Sequence, residues 1–204
     1  MTLNLERLEV GPWPMNCYLI RCAATGEVAI VDPGADAPLI LSAVGEATVR
    51  CILLTHGHPD HIGAVAEIRS ITGAPLGVHL ADAEAFDIEG DFPLVHGMEV
   101  QVGSGLVTVH HVPGHTAGSI SLRIDGEVVV GDAIFPGGPG HTTSPEALAL
   151  SLVSLGQTVF TWPDDTKLYP GHGPWTTVGA ERDAFERFLQ ADHPAELCGE
   201  VSWH

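Results

Sequence analysis

Between residues 55 and 61 the chain reads Thr-His-Gly-His-Pro-Asp-His, which places three histidines and one aspartate in six positions. Imidazole nitrogen and carboxylate oxygen are the usual ligands of zinc and of non-haem iron. Pro59 breaks the run, so the four side chains cannot lie on one helical face. His56 and His58 are two apart and, in extended backbone, point the same way, so they can share one cation. Asp60 and His61 can turn toward a second. The plain alternative is a solvated polar loop, which leaves four ligand-type residues in six positions unaccounted for.

Three further ligand types recur in matching places: His115 in Val-Pro-Gly-His-Thr, Asp132 in Gly-Asp, and His172 in Pro-Gly-His-Gly. Each follows a short apolar run and has a glycine before it, which lets the backbone turn sharply and approach a ligand. Taken singly, each reads as a turn or loop residue. Taken with residues 56–61, they form four positions that converge just past strand ends.

The elements that must position these residues are short. Val, Ile and Leu-rich runs predict strands near Leu3–Val10, Cys17–Arg21, Val28–Val31, Cys51–Thr55 and Leu76–His79. Further runs predict strands near Val100–Val102, Val107–Val112, Ile120–Ile124, Val128–Val130 and Lys167–Tyr169. Ile62, Val65, Ala66 and Ile68 make a helical face that stops at Gly73, with Pro75 beyond. Ser144-Pro145-Glu146 reads as a cap, a first-turn proline and a first-turn acid, and predicts a helix through Leu155 that Gly156 ends. Val178–Gln190 predicts another helix, and Pro38–Val44 a weaker one. Strands in meandering groups with helices between them predict sheets packed together with helices outside.

Composition sets the outer bounds. The 204 residues predict one domain, and 45% hydrophobic residues supply one packed core. The net charge of −18 argues against nucleic acid and anionic membrane as partners, because phosphate binding needs clustered Lys and Arg. No apolar run has the length of a membrane span and no basic leader opens the chain, so a cytoplasmic location is expected. Cys17, Cys22, Cys51 and Cys198 have no C-x-x-C spacing and are expected to be free, buried thiols. Trp13, Trp162 and Trp175 are expected on loops. Leu3–Val10, read as an edge strand, offers a surface for a homodimer.

With these residues together, the chain resembles the metallo-β-lactamase superfamily, from Tyr18 to about Gly179, and carries its H-x-H-x-D-H signature. The resemblance implies an α/β fold, a four-layer αβ/βα sandwich of two mixed sheets flanked by helices. It implies two divalent transition metals, zinc foremost, with iron or manganese the alternatives. His56, His58 and His115 would bind the first; Asp60, His61 and His172 the second; Asp132 would bridge them. Val31-Asp32-Pro33-Gly34 matches the family's early strand-end motif, whose acid, here Asp32, orients a ligand histidine and fixes its tautomer. An aspartate at the bridging position resembles the glyoxalase II (hydroxyacylglutathione hydrolase) branch rather than the antibiotic-hydrolysing members.

Three departures separate the chain from the glutathione-specific pattern. Only 32 residues follow His172, too few for the helical domain of glyoxalase II. Gly140-His141-Thr142 supplies a histidine where short relatives often carry arginine, which makes His141 a candidate substrate contact. The basic residues mostly lie away from the expected rim.

The expected chemistry is hydrolysis. Two cations sharing a water lower its pKa from about 15.7 toward roughly 7, Asp60 orients the water and takes its proton, and an activated acyl compound, thioester first and ester or lactone next, is cleaved. Two readings compete: a mononuclear iron persulfide dioxygenase built on His56, His115 and Asp132, and a protein whose metals are purely structural.

Overall fold

Apolar side chains at consecutive positions of a short strand require both faces of that strand to be covered. The computed structural model, which describes residues 3–12 and 14–203, shows how this is met. The first half of the chain runs β1 (Leu3–Val10), β2 (Met15–Cys22), β3 (Val28–Val31), α1 (Ala37–Val44), β4 (Val49–Leu53), α2 (Pro59–Ile62), α3 (Val65–Thr72), β5 (Leu76–Val78), α4 (Leu80–Ala85) and β6 (Phe92–Pro93). The second half runs β7 (Glu99–Val102), β8 (Gly105–His111), β9 (Ile120–Ile124), β10 (Glu127–Gly131), β11 (Ile134–Phe135), β12 (Gly138–Pro139), α5 (Pro145–Gln157), a single 3-10 turn, β13 (Lys167–Pro170), β14 (Thr176–Thr177) and α6 (Val178–Gln190).

One sheet has the order β1-β2-β3-β4-β5-β6 and the other β14-β13-β10-β9-β8-β7. Both are mixed: β3 pairs parallel with β4, and β10 parallel with β13, while β1–β2 and β8–β9 are antiparallel. Strand alternation then sorts the core. Ala29, Val31 and Leu53 point between the sheets, where they meet Val109, Leu122 and Val129. Their neighbours Ile30, Ile52 and Leu54 point the other way, against Ile40 of α1 and Ile68 of α3. Val128 and Val130 point outward from the second sheet, against Leu155 of α5 and Phe185 and Phe188 of α6. The result is the expected four-layer sandwich of helices, sheet, sheet, helices.

Strand direction gathers the ligand loops. β8 and β10 both run antiparallel to β9, and β13 runs parallel to β10, so the three carboxyl ends share one edge. The loop after β4 meets them there, because Ile120 N–H at the start of β9 donates to the Thr55 carbonyl at 2.9 Å.

Several local expectations need correction. Pro59 does not merely interrupt: it is the first residue of α2, a turn that carries Asp60 and His61. The helix expected across Ile62–Ile68 is broken at Gly63 and Ala64, where the Val31–Gly34 segment packs and Ala64 N–H donates to the Pro33 carbonyl. Gly156 does not end α5, which runs through Gln157 and passes the ring of Phe185 at Gly156. His79 leaves the strand and caps α4, accepting a hydrogen bond from Ala81 N–H. Cys17, Cys22 and Cys51 are buried free thiols, whereas Cys198 is partly exposed. Trp162 is buried and Trp175 largely exposed; Trp13 and His204 lie outside the described residues. β1 is an edge strand as expected. Among the described residues no helix is long and apolar enough to cross a membrane.

Replacing Ile30, which is fully buried on β3, by alanine is expected to cost about 2–5 kcal/mol of stability. Leu106→Ala, at a half-exposed site, should stay within about 0.5 kcal/mol. Urea midpoints at unchanged slope measure both, and equal losses would contradict this layering.

Candidate metal centre

An imidazole can present one nitrogen to a cation only if its other nitrogen is satisfied elsewhere, which also fixes its tautomer. Four of the five histidines in this centre show that arrangement. His61 Nδ1–H donates to Asp32 Oδ2 at 3.0 Å, His115 Nδ1–H to the His141 carbonyl at 2.8 Å, and His172 Nδ1–H to the Pro14 carbonyl at 3.0 Å. Thr55 Oγ1 donates to Asp32 Oδ2 at 2.6 Å and so is free to accept from His56 Nδ1 at 3.1 Å. In each case Nε2 is left facing inward.

The inward nitrogens fall into two clusters. His58 Nδ1 lies 3.1 Å from His56 Nε2 and 3.0 Å from His115 Nε2. His172 Nε2 lies 3.1 Å from Asp60 Oδ2, with His61 Nε2 at 3.9 Å from the same oxygen. Asp132 stands between the clusters: Oδ1 is 3.6 Å from His61 Nε2, and Oδ2 is 3.8 Å from both His115 Nε2 and His172 Nε2. Bonds of about 2.0–2.1 Å in tetrahedral geometry place ligand atoms about 3.3 Å apart, close to these separations. His61 Nε2 and Asp132 Oδ1 are buried with no hydrogen-bond partner, a costly state that a cation between them would relieve. The donor set therefore fits two divalent ions. Asp32 also lies near His56 and His61, but Thr55 N–H, the Thr55 hydroxyl and His61 occupy its oxygens. Its oxygens are thus taken by hydrogen bonds, one of which holds the His61 ring through Nδ1.

Electrostatics separates the rings. Burial, helped by His61, holds His56 well below the ordinary imidazole range, and burial with His115 lowers His58. His61 moves the other way: burial disfavours its charge, but Asp32 and Asp132 outweigh it and raise it to about 10. Asp132, which burial alone would raise, is held below the usual carboxylate range by His61. A cation held by His61 would have to displace the proton on its inward nitrogen, so uptake there would release a proton.

Backbone close to the centre leaves no room for side chains. A Cβ on Gly171 would run into Asp132 Oδ1 and His61 Cε1. The loop after β13 is tied to β2 of the other sheet, where Asn16 Nδ2 donates to the Pro170 and Gly173 carbonyls and Tyr18 OH to Pro170.

All seven expected ligands thus meet at one edge. His141 is exposed and contributes its carbonyl to His115. Two residues escaped the sequence reading. Phe86 sets its ring edge-on to His58 at 5.3 Å, and Asp82, fully buried, accepts hydrogen bonds from both loops of the first cluster. An acid in the first turn of a six-residue helix was the only signal for Asp82, and such acids are common on surfaces.

Comparison with known proteins agrees with this geometry. A family model described as metallo-beta-lactamase superfamily matches residues 10–190. The hydroxyacylglutathione hydrolase of Anaeromyxobacter dehalogenans is 37% identical over 87% of this chain and 68% of its own. The BLEG-1 B3 metallo-beta-lactamase superposes with a TM-score of 0.78 at 28% identity, over 88% of this chain and 97% of that one. TTHA1623, solved in a di-iron-bound form, gives 0.71 at 30% identity, over 87% and 96%.

The purified protein is expected to take up about two equivalents of divalent transition metal. His58→Ala should remove most of one equivalent and spare the other, and Gly171→Ala should lose metal while keeping a native circular-dichroism spectrum. Dialysis followed by elemental analysis measures this; a single equivalent in the unsubstituted chain would contradict a two-cluster centre.

Proposed function

The chain belongs to the metallo-beta-lactamase superfamily, whose fold binds divalent metals, and from that premise we propose that it hydrolyses activated acyl bonds, thioesters first and esters or lactones next. The observation that carries this reading is Asp132, placed between two adjacent ligand clusters within 3.6–3.8 Å of His61, His115 and His172. One carboxylate shared in this way favours a two-ion centre over a single iron held by His56, His115 and Asp132. Zinc is the ion proposed first, and the di-iron neighbour keeps iron as the alternative.

Two ions bound there would polarise an acyl carbonyl and lower the pKa of a water between them. The protein supplies the rest. His56 and His115, held by Thr55 and the His141 carbonyl, would with His58 hold the first ion. Asp60, with its side chain 51% exposed, faces the open side, where it can take a proton from the attacking water. The water oxygen bonds to the acyl carbon, the carbon–sulfur bond breaks, and Asp60 returns the proton to the departing thiolate. The products are a carboxylic acid and a thiol. No serine or cysteine nucleophile is required.

The partner on this reading is a small acyl compound, and the net charge of −18 supports that over nucleic acid or a membrane surface. Selectivity for glutathione is not part of the proposal. Of the eight Lys and Arg, Arg69, Lys167 and Arg182 are paired with Asp91, Glu127 and Asp164, and Arg7 and Arg21 donate to backbone carbonyls, which weakens the case for a site that reads the carboxylates of a glutathionyl group. Asp164 is therefore an ion-pair partner of Arg182 and not a freely solvated acid.

With metal-loaded protein, kcat/KM on a hydroxyacylglutathione thioester and on an aliphatic thioester of the same acyl group should agree within about tenfold, or about 1.4 kcal/mol. A hundredfold preference for the former would restore glutathione recognition. Turnover of a β-lactam but of no thioester, ester or lactone would overturn the acyl assignment. Oxygen uptake with a persulfide would move the protein to the iron oxygenase class.

At saturating metal, Asp60→Asn should lower kcat by about 10²–10⁴-fold and leave KM nearly unchanged, as expected of an interaction made chiefly in the transition state. Asp165→Asn, at an exposed position, is the control and should be silent. Near-wild-type kcat in Asp60→Asn would exclude it as the proton acceptor.

A further inference from the structure

The three histidines of the first cluster come from two loops that belong to different sheets. His56 and His58 follow β4 in the first sheet, and His115 follows β8 in the second. Their inward nitrogens nonetheless lie 3.0–3.1 Å apart. Neither sheet alone carries all three rings, so the spacing depends on how the two loops are fastened to each other.

Asp82, on the short helix α4, sits at the junction. Its side chain is fully buried. Oδ2 accepts from Gly57 N–H at 2.8 Å and from the Thr116 hydroxyl at 2.8 Å, while Oδ1 accepts from Gly118 N–H at 2.7 Å. Gly57 lies between His56 and His58; Thr116 follows His115. One carboxylate therefore fastens both loops without touching any ligand side chain. The fit is tight on the Gly118 side, where an added Cβ would lie 2.6 Å from Oδ1. Thr116 spends its hydroxyl proton on Asp82, so the Ser119 hydroxyl 2.7 Å away must donate to it, and Ser119 Oγ also accepts from Thr116 N–H at 3.0 Å. The same helix delivers Phe86 against His58.

We propose that Asp82 is a positioning residue for the first metal cluster, its carboxylate locking the His56–His58 loop to the His115 loop across the two sheets. A buried carboxylate is expensive unless hydrogen-bonded, and an apolar residue of the same size would orphan two backbone N–H groups and a hydroxyl. The second cluster does not depend on it: His61 is oriented by Asp32 and His172 by the Pro14 carbonyl.

The inference rests on the two-ion reading above, and the test separates the two. Zinc affinity is measured by competition with a chromophoric chelator in two parents, His172→Ala, which keeps only the first cluster complete, and His58→Ala, which keeps only the second. Asp82→Asn retains the shape but turns an amide N–H₂ toward N–H donors. It should weaken zinc binding about 10–100-fold in the His172→Ala parent and less than about threefold in the other. Thr116→Val, which removes one of the three donors and preserves the fold more gently, should weaken the first cluster alone by a smaller factor. Equal losses in both parents, or none in either, would overturn the positioning role. If neither parent binds zinc before Asp82 is changed, the metal reading itself fails and this inference falls with it.

Discussion

Four of the five imidazoles that turn a nitrogen inward here are held by their other nitrogen, and the rest of the centre depends on those four anchors. Without an anchor, a ring on a loop rotates to find water, and five rings in one small volume would not converge. The anchors found for four of them are a threonine hydroxyl, a carboxylate and two backbone carbonyls. All four are groups whose own positions depend on segments distant in sequence. His172 relies on Pro14, and His115 on His141. The centre is therefore assembled by the fold as a whole rather than by any one motif.

Buried carboxylates that face mostly neutral donors fasten the segments around these anchors. Asp32 takes Thr55 N–H and the Thr55 hydroxyl in addition to His61. Asp82 takes two glycine N–H groups and a threonine hydroxyl. Glu181 on α6 takes Gly137 N–H, the Thr176 hydroxyl and Trp203 Nε1–H. The pattern repeats at the loop after β4, the loop after β8, and the segments that follow Asp132 and His172. A carboxylate accepts several hydrogen bonds at once, and charge-assisted bonds are roughly twice as strong as neutral ones. A single side chain can thus tie two loops where apolar packing, which has no direction, could not. Glycine supplies the bare N–H at three of these points, because the carboxylate must approach the backbone itself.

The candidate ligands drew notice in the sequence because metal chemistry admits few residue types, and His56, His58, Asp60 and His61 stand close together. Sheets packed together with helices outside were legible in short apolar runs such as Val28–Val31 and Val128–Val130, and the four-layer order came from the family resemblance. The carboxylate fasteners were not legible. Nothing local distinguishes Asp82 or Glu181 from the surface acids that surround them, since burial of a helix acid is decided by what the other sheet brings to it. Gly156 misled for the same reason: Phe185 arrives from α6, and a glycine read as a terminator is a contact surface. The break between α2 and α3 likewise answers to the Val31–Gly34 segment, thirty residues upstream.

Exposure is unequal across the centre and divides the second cluster itself, buried His61 from open His172 and Asp60, and that inequality suits the chemistry proposed. On the inner side His56 and His61 are buried and Asp132 is only 11% exposed. On the outer side His172 and Asp60 are 32% and 51% exposed. Electrostatic attraction is strongest where water is excluded, so the inner groups are suited to hold charge and the outer groups to exchange it. Asp132 and Asp60 are the same residue type with opposite surroundings. A carboxylate hemmed in by three imidazoles cannot give up a proton to solvent in each turnover, whereas one at the rim can. Division of labour between the two aspartates thus follows from where the sandwich ends and water begins.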